Sequence, residues 1–166
     1  MDEKNILKVA YTLFVAVLIA LFVGFGLSVF YPGPKMPEYP TGSNSYDKEP
    51  SAEQKQKQDE YQKQYEAYDD EVKSYNQTAS TITLGVSVLL LVISLVFEKK
   101  IRIIANGILF GGLFTLIYSL GLGFMVDNRV YSFVVVSASL LLVLVLGYLK
   151  FLRPENVSSK KVPKKK

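Results

Sequence analysis

Residues 103–126 read IIANGILFGGLFTLIYSLGLGFMV, 24 residues without an Asp, Glu, Lys or Arg. An uncharged apolar run of about 18 or more residues can cross the hydrocarbon core of a bilayer as a helix. Three further runs meet the same condition: residues 9–30, 80–97 and 130–149, with lengths of 22, 18 and 20. Together the four runs fill half of the 166-residue chain. A soluble domain of this size carries shorter, amphipathic segments, so an ordinary soluble enzyme is excluded. The fold class expected is an all-α membrane protein, a four-transmembrane-helix bundle. The chain also lacks Cys, His and Trp. That excludes disulfide frameworks, thiolate chemistry and any metal or acid–base site built on His.

Basic residues near the ends of spans stay on the cytoplasmic side. Lys4, Lys8, Lys99, Lys100, Arg102, Lys150, Arg153 and the lysines of the C-terminal tail share one side with Asp2, Glu3, Glu98 and Glu155, a net of +8. The other side holds seven bases and eleven acids, a net of −4. Both termini are therefore expected in the cytoplasm, with residues 31–78 outside it. The competing reading makes residues 9–30 a cleaved signal peptide. Such cores span about 7–15 residues and precede an Ala-x-Ala site, and the sequence has neither feature. Tyr11, Phe30, Tyr31, Phe97, Phe124, Tyr131, Tyr148 and Phe151 fall near span ends, where amphipathic rings anchor at the headgroups. The lysine-rich, cysteine-free composition suits a prokaryotic plasma membrane.

The links at 98–102 and 127–129 are five and three residues long. Links this short make spans two, three and four antiparallel neighbours. Span one carries Thr12, Ala16, Ala20, Gly24 and Ser28, and span three carries Gly107, Gly111, Thr115, Ser119 and Gly123. Residues four apart share a helix face, and small side chains let backbones approach in lipid. Spans one and three are expected to cross along these two ridges. No ionisable residue lies inside a span, which argues against proton- or ion-coupled transport. Asn106, the one amide there, reads as an interhelical hydrogen-bond partner.

The segment between spans one and two has two parts. Pro34, Pro37 and Pro40 recur every three residues, one stripe of a polyproline II helix. After a polar turn at 41–47, Ser51 and Gln54 fit a capping box. No Gly or Pro follows until Gly85. Glu53–Lys57, Asp59–Lys63 and Asp69–Lys73 are spaced to support a helix. Its apolar face is Tyr61, Tyr65, Tyr68, Val72 and Tyr75, a heptad seam that continues as Ala79, Ile82, Val86 and Leu89. The helix is expected either to enter span two unbroken or to break at Asn76-Gln77-Thr78. A tyrosine ring suits a proline face better than a coiled-coil core, where its hydroxyl lacks a partner. The lengths agree: Pro34 to Pro40 covers about 19 Å and Tyr61 to Tyr75 about 21 Å. An antiparallel clasp would set Pro34 near Tyr75, Pro37 near Tyr68, and Pro40 near Tyr61 or Tyr65. This arrangement resembles, as local architecture only, the pancreatic-polypeptide hormones, in which a Pro-rich strip lies on a Tyr-bearing helix. The same stripe would alternatively dock another protein or copy, or remain solvated.

Asp69-Asp70-Glu71 diverge around a helix and read as solvated. The tail lysines Lys160, Lys161, Lys164, Lys165 and Lys166 are candidates for contact with anionic lipid, and no nucleic acid is expected. The chain divides into 1–31 (N-terminal segment and span one), 32–79 (Pro-rich strip and Tyr-faced helix), 80–150 (spans two to four) and 151–166 (basic tail). No catalytic or metal-binding set is apparent, and no cofactor is implied. The function expected is a non-enzymatic membrane scaffold or accessory subunit that meets a partner, or itself, through the projecting helix. The alternative is a homo-oligomeric channel or transporter component, with Ser87, Ser94, Asn106, Thr115, Ser119, Ser137 and Ser139 as lumen candidates.

Overall fold

The computed structural model describes residues 3–39 and 52–152. They form four helices: α1 Glu3–Phe30, α2 Ala52–Phe97, α3 Arg102–Phe124 and α4 Arg129–Gly147. A π turn, Tyr148–Leu152, follows α4, and no strand occurs among the described residues. Each helix is long and apolar enough to cross a membrane. Helix α1 stops one residue before the Tyr31–Pro32 bond, because a residue preceding proline is driven out of the α region. Helix α2 runs through Asn76-Gln77-Thr78 without a break. Its 46 residues extend about 69 Å. Helix α4 is capped by Asn128, whose Oδ1 accepts from the backbone N–H groups of Val130 and Tyr131 at 3.1 Å each. Ser51, Pro40 and the tail lysines Lys160, Lys161, Lys164, Lys165 and Lys166 lie outside the described residues.

Helix α3 is the hub. Helices α1 and α2 pack along it on separate faces and scarcely touch each other, while α4 leans on it more lightly. The α1 face is a glycine notch. A Cβ on Gly107 would lie 2.7 Å from Cγ1 of Val15, and one on Gly111 would lie 2.8 Å from Cγ2 of Ile19. Branched side chains of α1 fill these notches, and from its small-residue ridge the backbone oxygen of Thr12 lies 3.5 Å from the Gly107 Cβ position. On that ridge Ala16 is buried, but Gly24 has nothing within 4 Å of its Cβ position. Ala20, Gly24 and Ser28 line an open apolar groove with Phe114 and Tyr118.

The α3 ridge changes partner along its length. Four residues turn an α-helix by about 400°, so a four-residue repeat drifts about 40° per step. Gly107 and Gly111 therefore meet α1, whereas Ser119 and Gly123 reach Ser80 of α2. Thr115 and Ser119 are both buried.

The α2–α3 contact is lined by hydroxyls. Ser80 Oγ donates to Ser119 O and Ser119 Oγ donates to Ser80 O, both at 2.8 Å. Ser94 Oγ donates to Ala105 O at 2.9 Å. Thr83, Ser87 and Thr115 donate to carbonyls of their own helices. The tyrosine seam continues into α2 only in part: Ala79 is buried and Val86 half-buried. Ile82 is 42% and Leu89 62% exposed, whereas Ser80, Thr83, Ser87, Leu91 and Ser94 form the buried face.

Helix α4 is held at both ends. Tyr131 Oη donates to Gln77 O at 2.8 Å and lies 3.0 Å from Thr81 Oγ1. At the far end Lys150 Nζ donates to Asn106 Oδ1 at 2.8 Å and stands 3.5 Å from Glu98. Between them Leu146 packs with Leu91 and Leu109. Asn106 thus bridges helices, through Lys150 just after α4.

Two substitutions separate the notch from the ridge. Gly111→Leu overpacks Ile19 and is expected to lower detergent-solubilised stability by about 1–3 kcal/mol. Ala20→Leu faces the groove and is expected to change it by less than about 0.5 kcal/mol. Thermal denaturation followed by circular dichroism measures both. For the hydroxyl pair, a Ser80→Ala, Ser119→Ala double-mutant cycle is expected to give a coupling of about 0.6–1.7 kcal/mol.

Candidate functional site

The candidate site stands beyond the α2–α3 contact: the first 28 residues of α2 and the strip 31–39 beside them. Two of the three expected ion pairs form on this helix, Glu53–Lys57 at 2.9 Å and Asp69–Lys73 at 2.7 Å. Asp59 and Lys63 do not pair among the described residues. The hydrogen bond to Lys57 lowers Glu53 below the ordinary carboxylate range. Its small contribution is present at neutral pH and lost as the pH falls through that lowered value. The partner Lys57 is raised by the same bond, and Lys73 is raised by its bond to Asp69.

The strip lies antiparallel on the tyrosine face. Tyr31 stacks on Tyr75 with centroids 5.1 Å apart and planes 4° from parallel. The Cβ position of Gly33 is 3.5 Å from the Tyr75 ring. At the other end Tyr39 meets Tyr61 edge-on, with centroids 5.0 Å apart. From Gly33 to Tyr39 the strip covers about 19 Å, and from Tyr75 to Tyr61 the helix covers about 21 Å, so the two keep pace. Tyr31, Pro34 and Pro37 are half-buried, while Pro32, Gly33, Lys35, Met36 and Glu38 are exposed. That period of three is the one the strip would show with a single polyproline face turned to the helix.

Tyr61, Tyr68, Val72 and Tyr75 are half-buried, and Tyr65 is 45% exposed. Tyr65 sits between Tyr61 and Tyr68, with centroids 6.2 and 6.1 Å away. The ring contacts across the two segments come from Tyr31 and Tyr39. By its place at a span end Tyr31 reads as a membrane-belt residue, and no motif marks Tyr39. A tyrosine at each end of the proline stripe was the available signal.

Tyr75 also ties α2 to the end of α1. Tyr31 directly follows α1, its N–H donating to Leu27 O at 2.8 Å, and Tyr118 belongs to α3. Burial, with the nearby Tyr118 and Tyr31, raises Tyr75 above the ordinary tyrosine range. The neutral form is the one the fold holds. The preference is lost as the pH rises through the raised value.

Magnitudes indicate what keeps the strip down. Its two ring pairs contribute about 0.5–1.5 kcal/mol each. Ordering flexible backbone costs about 1–2 kcal/mol per residue, so the rings alone are insufficient. Prolines 32, 34 and 37 have φ fixed before folding, which reduces the entropy lost. The partial burial of Pro34 and Pro37 adds to the ring contacts.

Tyr75→Ser is therefore expected to release the strip. Trypsin cleavage after Lys35, followed by mass spectrometry, should quicken about fivefold for a loss of about 1 kcal/mol, if cleavage tracks the open population. Tyr65→Ser, at an exposed ring, should leave that rate within about twofold.

Comparison with known proteins finds no family model, no curated protein and no solved structure that matches this chain.

Proposed function

We propose that the protein is a non-enzymatic integral membrane scaffold or accessory subunit, with both termini in the cytoplasm and the projection outside. The observation that carries this reading is the unbroken α2. One helix of 46 residues supplies both a span and a projection, with no joint between them. Its first 28 residues reach about 42 Å, and the clasped strip stiffens them. A partner meeting the projection is thereby connected to the buried α2–α3 contact.

The contact surface proposed is the exposed rim of the clasp. Tyr65, Met36 and Tyr39 are 45%, 61% and 57% exposed on a surface otherwise rich in charge. Tyrosine is enriched among residues that dominate binding energy at interfaces. The pore alternative has less support. Ser87, Ser94, Thr115, Ser119 and Ser139 donate to backbone carbonyls and are buried within one chain. They do not line a lumen in the single chain.

A photoreactive phenylalanine analogue at position 65, activated in the protein's own membrane, tests the surface. The expected product is one discrete heavier species, identified by mass spectrometry. Lipid adducts alone would overturn the reading. Sidedness is read with single cysteines in this cysteine-free chain. Glu66→Cys is expected to react with an impermeant maleimide in intact cells, and Ser158→Cys only after permeabilisation. The reverse pattern would place the projection inside.

A further inference from the structure

A second groove lies at the opposite end of α1 and α3 from the projection. It has a volume of about 600 Å³, and its lining includes Lys8, Val9, Leu13, Arg102, Asn106 and Phe110. The distribution of chemistry along it is uneven. Lys8 precedes the first apolar residue of span one, and Arg102 opens α3. Asn106 lies one helical turn further in. Val9, Leu13 and Phe110 form the apolar wall, and they are 60%, 54% and 46% exposed. In a bilayer crossed by these helices the basic groups would stand at headgroup depth, with the apolar wall in the hydrocarbon.

The charges there are unbalanced. Among the described residues no carboxylate lines the groove. Neither Lys8 nor Arg102 forms an ion pair among the described residues. The nearest paired base, Lys150, is already engaged by Asn106 Oδ1 and Glu98. That bond orients the Asn106 amide and leaves its N–H groups without a partner among the described residues. Helix α3 also begins at this end without a side-chain cap, so its dipole adds to the positive potential.

We propose that this groove binds an anionic phospholipid, with the phosphate between Lys8 and Arg102 and one acyl chain along Val9, Leu13 and Phe110. The Asn106 amide donates to the phosphate or the glycerol ester. A zwitterionic lipid brings an ammonium group to the same two cations and is disfavoured. The site is separate from the tail lysines, which attract anionic lipid without a groove. It goes beyond the scaffold reading and requires only that the helices span a bilayer. Bound there, the lipid fills the gap between α1 and α3 and steadies the hub.

The chain has no tryptophan, so Phe110→Trp is a unique fluorophore in the groove. The full chain is reconstituted in phosphatidylcholine vesicles containing a minor share of brominated phosphatidylglycerol or, separately, of brominated phosphatidylcholine. The expected result is stronger quenching by the anionic lipid, with about a fivefold preference for each basic side chain. Lys8→Gln with Arg102→Gln on the same background should abolish that preference. Phe133→Trp, at a 72% exposed position on α4, should show none. Equal quenching of Phe110→Trp by both lipids would overturn the proposal. So would a preference that survives the double substitution but disappears when the tail lysines are removed, or one reversed by inorganic phosphate. If Phe133→Trp is quenched by neither lipid, the membrane-spanning reading fails instead. Native mass spectrometry of the unsubstituted chain gives a readout without any variant. Retention of phosphatidylglycerol over phosphatidylcholine, lost with Lys8→Gln and Arg102→Gln, is expected; equal retention would overturn the site.

Discussion

The close approach of α2 to α3 is the constraint on which the rest of the molecule depends. In lipid, apolar surface gives no drive for two helices to associate. What remains is dispersion at short range and hydrogen bonds between the helices. Three hydroxyl bonds cross this contact, from Ser80, Ser119 and Ser94. At about 0.6 kcal/mol each they supply only about 2 kcal/mol. The larger part must come from packing, which the small side chains permit. The largest fully buried side chains are Thr83, Thr115, Ser80, Ser87, Ser94 and Ser119. Each is small enough for backbones to approach, and each hydroxyl has a carbonyl to satisfy it.

The position of every other element follows from that pair. Helix α1 takes the second face of α3, where Gly107 and Gly111 receive Val15 and Ile19. Because the four-residue ridge winds around α3, it cannot serve α1 along its whole length. The remaining ridge of α1 is left lining a groove. Helix α4 reaches the pair through larger residues such as Leu146 and is fastened by polar ties at its two ends. The result is a hub with three spokes rather than a closed ring, and such an arrangement leaves lateral grooves open to lipid.

The first 28 residues of α2 extend the same logic past the α2–α3 contact. Helix α2 leaves the hub without a break, and the Tyr31–Tyr75 stack joins the end of α1 to it. Helices α1 and α2 scarcely touch elsewhere. Rigid prolines make the strip inexpensive to order, and its two terminal tyrosines set its register on the helix. The central Tyr65 is left exposed, so the clasp covers part of the aromatic face and presents the remainder.

The four apolar runs, the short links and the proline period were all legible in the amino-acid order, because each depends on local composition and spacing. So was the ability of residues 52–79 to form a helix, although the sequence left open whether it would join span two. What the order of residues could not supply was the choice of buried faces. The heptad seam of Tyr61 to Tyr75 continues along the sequence as Ala79, Ile82, Val86 and Leu89, by the rule that apolar residues turn inward. That rule belongs to water. Within the spans Ile82 and Leu89 turn outward, and serine and threonine turn in. Lipid accepts leucine as readily as a protein interior does but cannot satisfy a hydroxyl. Only the tertiary structure decided which carbonyl each hydroxyl would meet, and therefore which face of each helix became the core.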